Sequence, residues 1–89
     1  MYEIAHRVLT LLTEPPGEVT VTIGLPYEEP TGEWSCPYRI DGLDGWEHER
    51  KVTGADSLQA LEIVLSMVRS ALEESAEARE GLLVWEEFS

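Results

Sequence analysis

The chain changes its hydrophobic period along its length. Val19-Thr20-Val21-Thr22-Ile23 alternates apolar and polar positions and is β-branched throughout, the pattern of a strand with one buried face. Trp34, Cys36, Tyr38 and Ile40 alternate with Ser35, Pro37 and Arg39 and predict a second strand. Pro37 has no N–H to give a ladder, so this strand should carry an edge or a bulge there. Trp46, His48, Arg50 and Val52 alternate with Glu47, Glu49, Lys51 and Thr53, a third strand. Asp41-Gly42 and Asp44-Gly45 are turn dipeptides between these two, so a hairpin is expected.

From Asp56 the period becomes helical. Asp56 can cap the first turn, and Gln59 stands three residues on, as a capping box requires. Leu58, Leu61, Leu65, Val68 and Leu72 form one stripe, with Ala60, Val64, Met67 and Ala71 beside it. This spacing predicts that Leu61, Leu65 and Val68 face the sheet. The helix should reach about residue 74, with Ala78-Arg79 and Gly81 offering a later end near 80. Leu82-Leu83-Val84-Trp85 reads as a short last strand. Residues 2–12 fit either period, since Ile4, Val8, Leu11 and Leu12 suit a helix and Ile4, His6, Val8 and Thr10 suit a strand. A strand here would pair with 19–24 and cover an edge otherwise left open. Together these elements predict an α+β fold: an antiparallel meander sheet of four to five strands with one long helix packed on one face. All 89 residues form a single domain, with no internal repeat and no linker.

Several segments resemble a family of small bacterial proteins of unknown function. They are Ile23-Gly24-Leu25-Pro26, Cys36-Pro37-Tyr38-Arg39-Ile40, Asp56-Ser57-Leu58-Gln59-Ala60-Leu61 and the late Trp85. The resemblance implies a bacterial origin and the same strand–helix order. It implies no activity and assigns no functional residue.

Charge alters the picture more than any motif. Eighteen Asp and Glu stand against six Lys and Arg, a formal net charge of -12. Such an excess repels nucleic acid and anionic membranes, which need cations to neutralise phosphate, and favours a basic protein partner. A single cysteine, Cys36, permits no internal disulfide, and no secretory signal or membrane-length apolar run is visible, so a cytoplasmic location is expected.

Chemistry-bearing residues are sparse. Cys36 on one strand and His48 on the next would form a nucleophile–base pair if the hairpin register set them opposite; a small buried hydrophobe is the plainer reading of Cys36. His6, His48 and Cys36 are the only soft metal ligands and stand at no zinc spacing, so no metal is expected. Asp41-Gly42-Leu43-Asp44-Gly45 lacks the alternating oxygens of a calcium loop. Without a phosphate loop or nucleophile elbow, neither a cofactor nor a catalytic residue is assigned.

Trp34, Tyr38 and Trp46 cluster on the hairpin among carboxylates and, with Glu47 and Glu49, make the candidate partner-binding patch. The leading expectation is an acidic protein-interaction module, an immunity-like or antitoxin-like binder of a basic protein. The alternatives are a small enzyme using Cys36 or His48, and a structural subunit of a homodimer or larger homo-oligomer.

Overall fold

A computed structural model describes residues 1–46 and 48–85. Strands β1 (Glu3–Leu11), β2 (Gly17–Gly24), β3 (Tyr27–Glu28), β4 (Trp34–Asp41) and β5 (Arg50–Gly54) precede helix α1 (Ser57–Glu73), the short helix α2 (Ala76–Arg79) and strand β6 (Leu83–Val84). All strands belong to one sheet and every pairing is antiparallel. The order across it is β5, β4, β2, β1, β6, with β3 pairing the start of β4 on the side that β2 occupies further along. The α+β class holds, and the longer strands β1, β2, β4 and β5 lie side by side in chain order as a meander. The expected short last strand is β6, which returns after the helices to the far edge of β1, and the two-residue β3 brings the count to six.

Residues 3–11 are a strand, not a helix. Leu9 pairs with Val19 and both are fully buried, so the alternating pattern of residues 19–23 imposes its period on its neighbour. Pro37 lies where the ladder to β2, which ends at Tyr38, has stopped and that to β3, which begins at Ser35, has not started. The irregularity that its missing N–H demands is this gap.

The third strand starts at Arg50, later than the alternation from Trp46 suggests. The intervening loop turns at Gly42 and Gly45, both with positive φ, and buries Leu43. A Cβ on Gly42 would overlap the Glu18 carbonyl, so that position requires glycine twice over. Trp46 reaches the core from this loop, which is why the alternation appears to begin before the strand does.

Helix α1 begins as its cap predicts. Asp56 Oδ1 accepts the Gln59 N–H at 2.7 Å, and Gln59 Oε1 accepts the Ala55 N–H at 2.6 Å. It ends at Glu73. Ser75 interrupts it by donating to the Leu72 carbonyl (2.7 Å) and accepting the Ala78 N–H (3.1 Å), which starts α2 as a separate turn. The helix lies chiefly on β4 and β5.

Which stripe faces the sheet is a correction. Ala60, Val64, Val68 and Leu72 are buried, whereas Leu61 is only half-buried and Leu65 is 52% exposed. The cause is at the helix start. A Cβ on Gly54 would stand 2.7 Å from the Ala60 backbone nitrogen, so strand and helix approach to backbone contact there. Only the row beginning at Ala60 can follow that approach into the sheet, and Leu58 and Leu65 rotate outward.

Leu72→Ala should therefore cost about 2–5 kcal/mol, the range for emptying a packed leucine site. Leu65→Ala should stay within about 1 kcal/mol. Urea unfolding of the two variants checks this, and equal losses would return Leu65 to the core.

Candidate functional site

The hairpin aromatics separate into core and rim. Tyr38 is 2% exposed and belongs to the core, a correction to its place in the expected binding patch. Trp46 leans on it with ring centroids 6.3 Å apart at 46°. The Arg50 guanidinium lies 4.2 Å over the Trp46 ring and donates to the Gly45 carbonyl at 3.1 Å. Trp34 and Trp46 are both half-buried against the core, so each offers only part of a ring to a partner. Glu49 is exposed in the loop before β5, and Glu47 falls outside the described residues.

Cys36 and His48 do not meet across the hairpin. Cys36 pairs with Val52, and His48 is exposed in the loop before β5. The Cys36 side chain is fully buried, its Sγ 3.5 Å from the Gly24 carbonyl, and burial pushes its thiol above the ordinary value. Such a thiol is poorly ionised, the opposite of an activated nucleophile. His6 is exposed on β1, with β2 standing between that strand and β4, and its Nδ1 lies 3.1 Å from Glu3 Oε2. Among the described residues no three His, Cys, Asp or Glu side chains stand together as a metal would need.

The chain's few cations are mostly occupied. Arg39 holds Asp41 at 2.7 Å, Lys51 faces Glu29 at 3.4 Å and Arg69 faces Glu73 at 3.3 Å. The Tyr27 hydroxyl lowers the Glu29 carboxyl below its usual range, and Lys51 adds to the effect. Glu29 in turn raises Lys51, with a smaller contribution from Tyr27. Buried Ser35 Oγ makes no hydrogen bond of good geometry, although it exerts a minor pull on Glu29. Outside these pairs, Glu28, Glu33, Glu49, Glu62, Glu74 and Glu80 are all exposed.

One concave feature escaped the sequence. Between β1 and α1 lies a groove of about 600 Å³, floored by Val21 and Ile23, walled by Leu65, Val68 and Leu72, and reached by Arg7, Arg69 and Trp85. Arg7 and Trp85 belong to opposite ends of the chain, and no local motif joins them. The only hint was a lone cation, Arg7, among the alternating residues of the first strand.

The fold is thus a small α+β arrangement of one antiparallel sheet and one long helix. By sequence it belongs to a family characterised as a domain of unknown function, DUF6968, whose model matches residues 5–89. No curated protein and no solved structure matches the chain significantly.

Two measurements test the polar groups. Native Cys36 should react slowly with thiol reagents and quickly once unfolded; rapid native labelling at neutral pH would show an accessible thiolate. For the Glu29–Lys51 pair, a lowered carboxyl favours the fold above its unfolded value and loses that contribution as pH falls through the folded value. A raised amine favours the fold below its unfolded value and loses the contribution as pH rises through the folded one. The pair is therefore intact at neutral pH. Tyr27→Phe and Lys51→Met should each move the Glu29 titration, followed by carboxyl NMR, up toward the ordinary range. A Glu29 titration that neither substitution moves would contradict this account of the pair.

Proposed function

We propose that the protein is an acidic protein-interaction module whose physiological partner presents a basic surface. The observation that carries this is the disposition of charge. Eighteen acidic side chains face six basic ones, and three of those six are engaged by carboxylates and a fourth by the Trp46 ring. What remains exposed is a nearly unrelieved negative surface. Such a field accelerates encounter with a positive partner and opposes nucleic acid and anionic lipid. No helix among the described residues is long and apolar enough to cross a membrane.

The outer faces of Trp34 and Trp46 with Glu49 supply the contact patch on this reading. Half-buried Trp46 is held by Tyr38 and Arg50, so little conformational freedom is lost when a partner covers it. Neutralisation of a basic protein, in the manner of an immunity protein or antitoxin, is the concrete form of such a role. A cytoplasmic setting and a bacterial source are part of the same proposal. The enzyme reading gains nothing from a buried, poorly ionised Cys36 set apart from His48.

The test is kinetic. A partner isolated by crosslinking in the native host should bind the purified chain with an association rate that falls about tenfold or more from low ionic strength to ~0.15 M. Trp46→Ala should raise the dissociation rate while leaving the salt dependence in place. An association rate indifferent to salt, or measurable affinity for duplex DNA or RNA at physiological salt, would sink the proposal.

A further inference from the structure

We infer that the groove between β1 and α1 is a binding site for a small amphipathic carboxylate, an apolar chain or ring system ending in one anionic head. It is distinct from the acidic surface and inverts its charge. The chain has eighteen Asp and Glu, yet none is among the described residues lining the groove. Two of only six Lys and Arg, Arg7 and Arg69, do line it. Arg7 makes no ion pair with a described residue, so its guanidinium has its donors available. Arg69 is tied to Glu73 only by an exposed 3.3 Å pair of the kind that contributes little. A guanidinium without a carboxylate partner presents its donors to an anion from outside.

Apart from His6, whose Nδ1 lies 3.1 Å from Glu3 Oε2, the rest of the groove is lined by apolar side chains. Val21 and Ile23 lie at its base, 4% and 6% exposed, while Leu65 stands open at 52% on its wall. Its volume of about 600 Å³ falls within the range of roughly 300–1,000 Å³ typical of small-ligand sites. The groove exists because α1 settles over β4 and β5 and leaves the β1 end of the same face incompletely roofed. An apolar tail along Leu65 and Val68 with its head at Arg7 matches the apolar wall and the unpaired cation together. A basic or neutral ligand would leave Arg7 unpaired, and a second copy of this chain would have to overcome the mutual repulsion of two formal charges of -12.

The probes are dodecanoate and dodecanol, matched in tail and differing in head charge, titrated into the full-length protein below their aggregation limits. Binding is followed by methyl and guanidinium NMR, with sedimentation to record oligomeric state. Dodecanoate should shift the Leu65 and Val68 methyls and bind about tenfold or more tightly than dodecanol, the effect expected of a charge-assisted bond. Arg7→Gln should remove that preference while leaving dodecanol binding and the fold unchanged. Leu65→Asp should abolish both, and because Leu65 is exposed this variant should still fold. Equal affinity for the two probes, an unaltered preference in Arg7→Gln, or shifts confined to residues outside the groove would overturn the inference. So would a dimer whose groove admits neither probe. The acidic-surface proposal could fail on salt dependence without touching this result, and the reverse also holds.

Discussion

The contact between Gly54 and Ala60 sets the geometry of the molecule. With no side chain at 54 and a methyl at 60, the last strand residue and the first buried helical residue meet backbone to backbone. That approach anchors the start of α1 on β5. The row Ala60, Val64, Val68 and Leu72 then runs into the sheet along the helix, and Leu58 and Leu65 turn outward. The helix is committed to the β4–β5 side, and the β1 end of the same face keeps its groove. The overall shape follows: extents of 46 × 30 × 21 Å and a radius of gyration of 14.0 Å, against about 12 Å for a compact chain of this length. An elongated sheet roofed toward one side leaves more surface open than a centred helix would.

Two surfaces of opposite character have different origins. The negative field is a property of composition, and folding sharpens it by pairing Arg39, Lys51 and Arg69 with local carboxylates. The groove is a property of topology. It gathers Arg7 from the first strand, Leu65 and Val68 from the helix and Trp85 from beyond the last strand. Long-range charge governs encounter with large partners, whereas a short-range cation in an apolar recess selects small anions.

Much of the architecture was legible because single segments declare it. Val19 to Ile23 can alternate in one way only, and Asp56 with Gln59 marks a helix start that the hydrogen bonds reproduce. Residues 2–12 were ambiguous alone and were resolved by pairing, since Leu9 is buried opposite Val19. The misreadings share a cause. Periodicity shows which residues lie on one stripe, not which stripe meets the sheet, and Leu65 was assigned inward because nothing local encodes the Gly54–Ala60 contact. Trp46 extended the apparent period of β5 because a loop residue reached the core from beyond the strand. Among the residues expected to bind a partner, Tyr38 is a core residue, because residue type alone does not show which aromatic of a strand is covered. The groove was illegible because its residues meet only through tertiary structure.

The central claim is that α1 sits off-centre and leaves the groove open. The most direct measurement is the broadening of methyl NMR signals by a soluble paramagnetic agent on the full-length protein. The account predicts strong broadening of the Leu65 methyls, protection of the Val64 and Val68 methyls, and a nuclear Overhauser contact between the Gly54 α-protons and the Ala60 amide. Leu65 methyls as protected as those of Val64, with no Gly54–Ala60 contact, would contradict it.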